Sequence, residues 1–126
     1  MAPMSTNMGT EDGFITPEQI AFYKARAAGG TGMIIVEFCS VQRKTGRSEE
    51  CQLSLETPAH LAGHIELANT IKAEGSVACL QLQHGGPGVS RKLIEGGVAV
   101  GPSDVASRKD PSKLTARSLT NAEIEE

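Results

Sequence analysis

The amino-acid sequence predicts an α/β fold built on a parallel sheet, and three observations carry that prediction. The first is a repeat: Thr16-Pro17 recurs as Thr57-Pro58 at an offset of 41 residues, and each unit runs helix, glycine, apolar strand, loop. The second is Met33 to Val36, a continuous apolar run of the kind found in strands covered on both faces. The third is VACLQLQHGGPG, Val77 to Gly88, a strand running into a glycine-rich loop. Helices alternating with short buried strands at this period call for parallel strands joined by right-handed crossovers, in a doubly wound sheet or a closed (β/α) barrel.

Each element has a local reason. Met1 to Ser5 is an apolar opening, and Thr6 to Gly13 is small, polar and turn-like. Thr16, Pro17 and Gln19 mark a helix start: threonine caps, proline suits the first helical position, and Gln19 has capping-box spacing. Ile20, Tyr23 and Ala27 follow on one face, and Gly29-Gly30 stop the helix. The strand Met33 to Val36 ends beside Glu37. Phe38 to Glu56 reads as a loop with a short irregular element near Leu53 to Leu55. Thr57-Pro58 then starts a helix with the apolar stripe Leu61, Ile65, Ala68 and Ile71, closed by Gly75. Beyond Gly88 periodicity fades through Ser118, with a very short strand predicted at Val98 to Val100. Thr120 and Glu123 form another capping box ahead of Ile124. A helix beginning there, and an opening with no element before it, predict an excerpt from a longer protein.

Composition excludes several classes. At 126 residues the chain is of single-domain size, able to bury roughly two thirds of its unfolded surface. With 12 basic and 15 acidic residues, a net charge of -3 and four aromatic residues, it offers neither a basic footprint nor stacking platforms for nucleic acid. No apolar run approaches the roughly 20 residues of a membrane span, and no signal-peptide layout opens the chain. Cys39, Cys51 and Cys79 are odd in number without CxxC spacing, which predicts reduced thiols in a cytoplasmic protein.

The candidate chemistry lies at the strand ends. In VACLQLQ, period-two alternation puts Val77, Cys79, Gln81 and Gln83 on one face and Ala78, Leu80 and Leu82 on the other. An aliphatic face packs under helices while the opposite face offers hydrogen-bonding groups; a half-exposed antiparallel strand fits the parity equally. His60 and His64 stand four apart, a metal-ligand spacing, but no third ligand is evident and a solvated or half-buried pair is the expectation. Gly85-Gly86-Pro87-Gly88 lacks a phosphate-loop pattern and reads as a turn. Cys79 is expected to be an inert buried thiol, and Ser5 has no hydrolase elbow around it. Tyr23 and Arg26 read as helix-surface and helix-packing residues.

Taken together, Ala2-Pro3-Met4-Ser5, YKARAAGGTGMIIVE with Tyr23, Arg26 and Ala27, Gln81-Leu82-Gln83-His84-Gly85-Gly86, Gly101-Pro102-Ser103, and Leu119-Thr120 with Glu123-Ile124 resemble the NADH:flavin oxidoreductase family. This is the old yellow enzyme group, with the 2,4-dienoyl-CoA reductases, and the likeness covers essentially the whole chain. It implies that residues 1–126 are the N-terminal segment, truncated at both ends, of an FMN-binding TIM (β/α)8 barrel with about three of its parallel strands. The implied activity of the complete protein is hydride transfer from NAD(P)H through FMN to an alkene conjugated to a carbonyl.

The resemblance further implies flavin contacts from Pro3, Met4 and Ser5 after the first strand, from Phe38 after the second and from Gln81 in the third. The position of Phe38 is usually small in the family, Asn7 stands where some members carry tyrosine, and the loop after His84 lacks the arginine that commonly ends this motif. The family's substrate-anchoring pair and proton donor belong to later strands, so no catalytic residue and no metal ligand is expected in this segment, which alone is expected to be inactive. An iron–sulfur cluster or FAD of such a protein lies outside these residues. The expected partner is a small-molecule substrate, and unpaired sheet edges predict self-association. Two alternatives stand beside this: a non-catalytic barrel fragment serving in assembly, and another TIM-barrel enzyme such as a lyase or aldolase.

Overall fold

The computed structural model describes residues 1–109 and 114–125. In chain order these form α1 (Pro17–Ala28), β1 (Met33–Ser40), the single turn α2 (Arg43–Gly46), α3 (Leu61–Ala73), β2 (Val77–Gln83), β3 (Ala99–Gly101), β4 (Val105–Ala106), β5 (Leu114–Ser118) and α4 (Asn121–Glu125). β1 and β2 pair in parallel. A second sheet has the order β3-β5-β4, with β5 parallel to β3 and antiparallel to β4.

The opening segment lies along the free edge of β1. The Met1 carbonyl accepts from the Ile35 N–H at 3.1 Å, and the Met1 ammonium donates to the Met33 carbonyl at 2.5 Å. One residue bonding two that are two apart is the pattern of a parallel neighbour. Residues 1–6 therefore run alongside β1 in its own direction, opposite β2.

Both predicted helix starts form. The Thr16 hydroxyl accepts from the Gln19 N–H at 3.2 Å with Pro17 in the first turn, and Gly30 beyond the far end has φ +89°, a conformation glycine adopts without steric cost. Only half the capping box is made, because the Gln19 side chain bonds Glu37 instead of the cap. The second start is a 3-10 turn, Pro58–His60, in which Thr57 and His60 complete a capping box before α3. At the chain end Thr120 and Glu123 cap α4 reciprocally, and the Arg117 guanidinium paired with Glu123 holds that carboxyl down at about 2.

The main core is Tyr23, Ala27, Ile34, Val36, Cys39, Leu53, Leu67 and Ile71, sealed between α1, α3 and the β1–β2 sheet. A smaller cluster of Val89, Ile94, Ala99 and Ala116 lies under the second sheet. Several expectations change here. On α3 the buried residues are Leu67 and Ile71, while Leu61 and Ile65 are about half exposed and border an open apolar groove with Ala68 and Leu80. The apolar surface of α3 is wider than a single stripe, and only the part facing α1 and the β1–β2 sheet is covered.

Ala78 and Leu80 pack against the core, but Leu82 is 59% exposed and Cys79 is exposed instead of buried, because among the described residues nothing covers these parts of β2. Phe38 to Ser40, expected in a loop, continue β1, since Ser40 bridges to Ser54 and its N–H donates to the Leu53 carbonyl at 2.8 Å. Among the described residues, the stretch from Gly85 to Ser118 holds three short strands rather than one. No helix among the described residues is long and apolar enough to cross a membrane.

Candidate functional site

A β-bulge shapes the carboxyl end of the sheet. Val36 pairs with Leu80 and Cys39 with Leu82, so Glu37 and Phe38 together oppose Gln81. An extra residue on one strand breaks the alternation of faces. Cys39 is buried on the helix side, so its neighbour Phe38 falls on the opposite face, the face of Gln81. Glu37 is turned to the helix side, 2% exposed, beneath α1.

There its carboxylate accepts from the Thr6 N–H at 2.5 Å, the Thr6 hydroxyl at 2.7 Å and the Gln19 amide, while its backbone N–H donates to the Tyr23 hydroxyl at 2.9 Å. Glu37 thereby ties the opening segment to β1 and α1 where Pro3 to Ser5 arrive. Met1 lies level with Ile34 and Thr6 is bound to Glu37, so Ser5 sits at the same end of the sheet as Phe38 and Gln81.

The five residues singled out by resemblance divide as follows. Ser5 and Gln81 are exposed, and Phe38 and Pro3 are half-buried. Met4 is exposed and borders a groove with Phe22 and Arg26 on the α1 side. The Gln81 amide has no hydrogen-bond partner among the described residues, so its donor and acceptor both face open space. The Ser5 hydroxyl donates to the Glu49 carboxylate. Ser5, Thr6 and Asn7 line one wall of a polar cleft of about 670 Å³, with Glu49 and Lys92 across it.

Gln52, Arg43 and Arg47, which sequence reasoning did not single out, brace the segment that carries Glu49, and Asn7 ties that segment to the opening residues. Gln52, 1% exposed, accepts from the Ser48 N–H at 2.7 Å and donates to the Gln83 side chain at 2.9 Å. Asn7, at φ +51°, accepts from the Cys51 N–H at 2.8 Å. Arg43 and Arg47 both donate to the Glu11 carbonyl, fastening the 43–52 segment to the opening loop. These bonds span 31 to 44 residues of sequence or join loops of irregular shape, so no local pattern signals them; a polar residue beside a buried position is the only hint.

The histidines are structural where they stand. His84 Nδ1 accepts from the Gly86 N–H at 3.1 Å, which leaves the proton of the neutral ring on Nε2, 3.0 Å from the Thr45 hydroxyl, and Thr45 in turn donates to Gln42. The ring lies on Gly46, where a Cβ would come within 2.5 Å of it, so only glycine fits. His60 stacks on Phe14 and bonds the Asp12 carbonyl at 3.1 Å, and His64 bonds the Ser54 carbonyl at 2.9 Å. The two thus serve different loops, and among the described residues no three His, Cys, Asp or Glu side chains are grouped to hold a metal. Burial raises the Cys39 thiol to about 12, leaving a neutral core thiol.

Burial also lowers the pKa of His64 and of His84. A histidine that takes up its proton less readily folded than unfolded favours the unfolded state in acid. Stability is therefore expected to be fully present above pH 6.5, the ordinary value, and to fall as pH drops below it. Urea midpoints measured from pH 8 to pH 5 check this, and His84→Gln, which cannot titrate, flattens part of the slope; a profile unchanged by pH would contradict it.

A family model described as NADH:flavin oxidoreductase / NADH oxidase family matches residues 1–126. The chain is 37% identical to an NADH oxidase of Thermoanaerobacter brockii over 100% of its own length and 19% of the relative's. It is 38% identical to an NADH:fumarate oxidoreductase of Klebsiella pneumoniae, over 99% of its own length and 13% of the relative's. Among solved structures, morphinone reductase in complex with tetrahydroNAD superimposes with a TM-score of 0.82 at 24% identity, over 99% of this chain and 37% of that one. The fold is that of part of a TIM-barrel enzyme.

Proposed function

Because the chain belongs to the NADH:flavin oxidoreductase / NADH oxidase family, we propose that it is the N-terminal segment of an FMN-dependent barrel whose full-length protein passes a hydride from NAD(P)H to an activated alkene. The observation that carries this reading is the convergence of Ser5, Phe38 and Gln81 at one end of the β1–β2 sheet. That is the end where barrel enzymes build their sites.

The residues present suit a flavin. A primary amide offers one donor and one acceptor from a single side chain, matching a ring edge that alternates the two, and the Gln81 amide is not engaged by any described residue. Ser5 has one hydroxyl proton to give, now directed at Glu49, so a turn about its side-chain torsion releases it toward a ring. Phe38 and Met4 would contribute backbone groups, since the side chain of Phe38 is bulky and Met4 borders the α1 groove; Pro3 would close the edge. When bound, FMN would supply the hydride acceptor and donor. The chain's own part is to orient the ring, and Gln81 and Ser5 would bias its electronics by hydrogen bonding.

The fumarate reductase relative favours an α,β-unsaturated carboxylate or a similarly electron-poor alkene as acceptor. The lyase or aldolase alternative is disfavoured, because the strand ends present Phe38 and Gln81 while the carboxylate that such a site needs, Glu37, is turned under α1. Taken alone, the chain leaves the outer edge of β2 without a strand beside it among the described residues, which favours association.

The test is to purify the full-length protein with FMN, reduce it anaerobically with NADH or NADPH, and add fumarate or acrylate. Bleaching by the nicotinamide followed by recovery of the yellow form is expected. A protein that retains no FMN would sink the reading.

A further inference from the structure

Glu37 carries a negative charge into the core with no lysine or arginine paired to it among the described residues. A charge so placed is costly unless hydrogen bonds replace its water. Two of the three bonds it accepts come from Thr6, the residue after Ser5, and the third comes from Gln19 on α1. The bulge is what brings it there, since regular alternation from Met33 would place residue 37 on the face of Gln81.

An apolar side chain would fill the same space at less cost. What a carboxylate adds is a fixed position for the Thr6 N–H, and hence for the Ser5 backbone one residue earlier. We infer that Glu37 is a positioning residue: by holding Thr6 from the helix side it sets where Ser5 meets the flavin, and through Ser5 it tunes the ring. This rests on the flavin reading above. In this arrangement Glu49 decides only where the Ser5 proton points when no ring is present, whereas Glu37 decides where the residue stands.

A second observation predicts which substitution rescues the function. The Gln19 Oε1 atom is buried without a partner. In Glu37→Gln, a flip of the Gln19 amide lets this atom accept from the new side chain, while the oxygen of that side chain keeps the Thr6 N–H. Glu37→Leu fills the space but loses all three hydrogen bonds.

The experiment uses the full-length protein with FMN bound, reading the flavin midpoint potential and visible spectrum. Ser5→Ala removes a donor to the ring, so the reduced form is expected to lose about tenfold in relative stability, or roughly 30 mV for two electrons. Glu37→Leu is expected to move the potential in the same direction and to add nothing in the Ser5→Ala background, whereas Glu37→Gln stays at the starting value. Should Glu37→Leu fail to fold, Thr6→Val, which removes one of the three bonds, carries the test with a smaller shift that likewise vanishes in the Ser5→Ala background. A potential unmoved by Glu37→Leu or Thr6→Val, with Ser5→Ala still shifting it, overturns the inference and leaves the flavin reading intact. Ser5→Ala without effect, or a protein that holds no FMN, overturns both.

Discussion

Tyr23→Ala is expected to lower the stability of the fold by about 3–5 kcal/mol, the range for removing a large aromatic side chain from a packed core. Tyr23 is fully buried at the centre of the main cluster and meets Phe22 edge-on at 5.2 Å between ring centroids. Its hydroxyl is also the acceptor for the Glu37 N–H. Burial pushes the phenol up to about 12, so it stays neutral at any ordinary pH. Tyr23→Phe separates the two contributions: the ring remains, the Glu37 N–H is left unpaired, and about 1–3 kcal/mol is expected to go. Urea unfolding of both variants reads this as a fall in midpoint at constant slope. A loss under about 1 kcal/mol in Tyr23→Ala would mean that the cluster collapses around the hole, contrary to the close packing of interiors.

Gln81→Ala is expected to weaken FMN binding by the full-length protein about 10- to 100-fold. Two hydrogen bonds to the ring, each worth about 0.5–1.5 kcal/mol net, amount to that range at 1.4 kcal/mol per tenfold. Because Gln81 is exposed and bonds no described residue, the substitution should leave the unfolding midpoint where it was. Loss of affinity without loss of stability is the signature of a ligand contact. Gln81→Glu sharpens the test, since it keeps an acceptor, loses the donor and adds a charge, and it should bind FMN no better than the alanine variant. Flavin fluorescence titration measures both, and unchanged affinity in Gln81→Ala would remove the residue from the site.

What could be read from the sequence follows the reach of each signal. Thr16-Pro17 and Thr57-Pro58 announce their helices because capping is decided within four residues, and Gly30 and Gly75 end them for an equally local reason. The parallel pairing of β1 with β2 follows from the helix between them. The stripe on α3 differs from expectation because periodicity shows which residues are apolar, not which neighbour covers them, so Leu61 and Ile65 look the same as Leu67 until α1 and the sheet are in place. Of the second sheet only β3 is foreshadowed, by the short apolar run Val98 to Val100; β4 and β5 have two and five residues, too few for a period to register.

For the candidate site, the sequence offers residue types and no sign of the wiring between them. Ser5 and Gln81 stood out through resemblance and through the parity of β2. The bonds from Thr6 and Gln19 to Glu37, and the Gln52 brace on Gln83, join segments distant in sequence, and no local preference encodes them.

The surplus residue in β1 also divides the labour of that strand. Ahead of the kink, Ile34 and Val36 answer only to the hydrocarbon interior; after it, the phase restarts, and a side chain that would have looked into the mouth of the barrel is taken into service below. Such a strand can exchange its tip residue, Phe38, without disturbing the interior half, which leaves room for new specificity on an unaltered foundation.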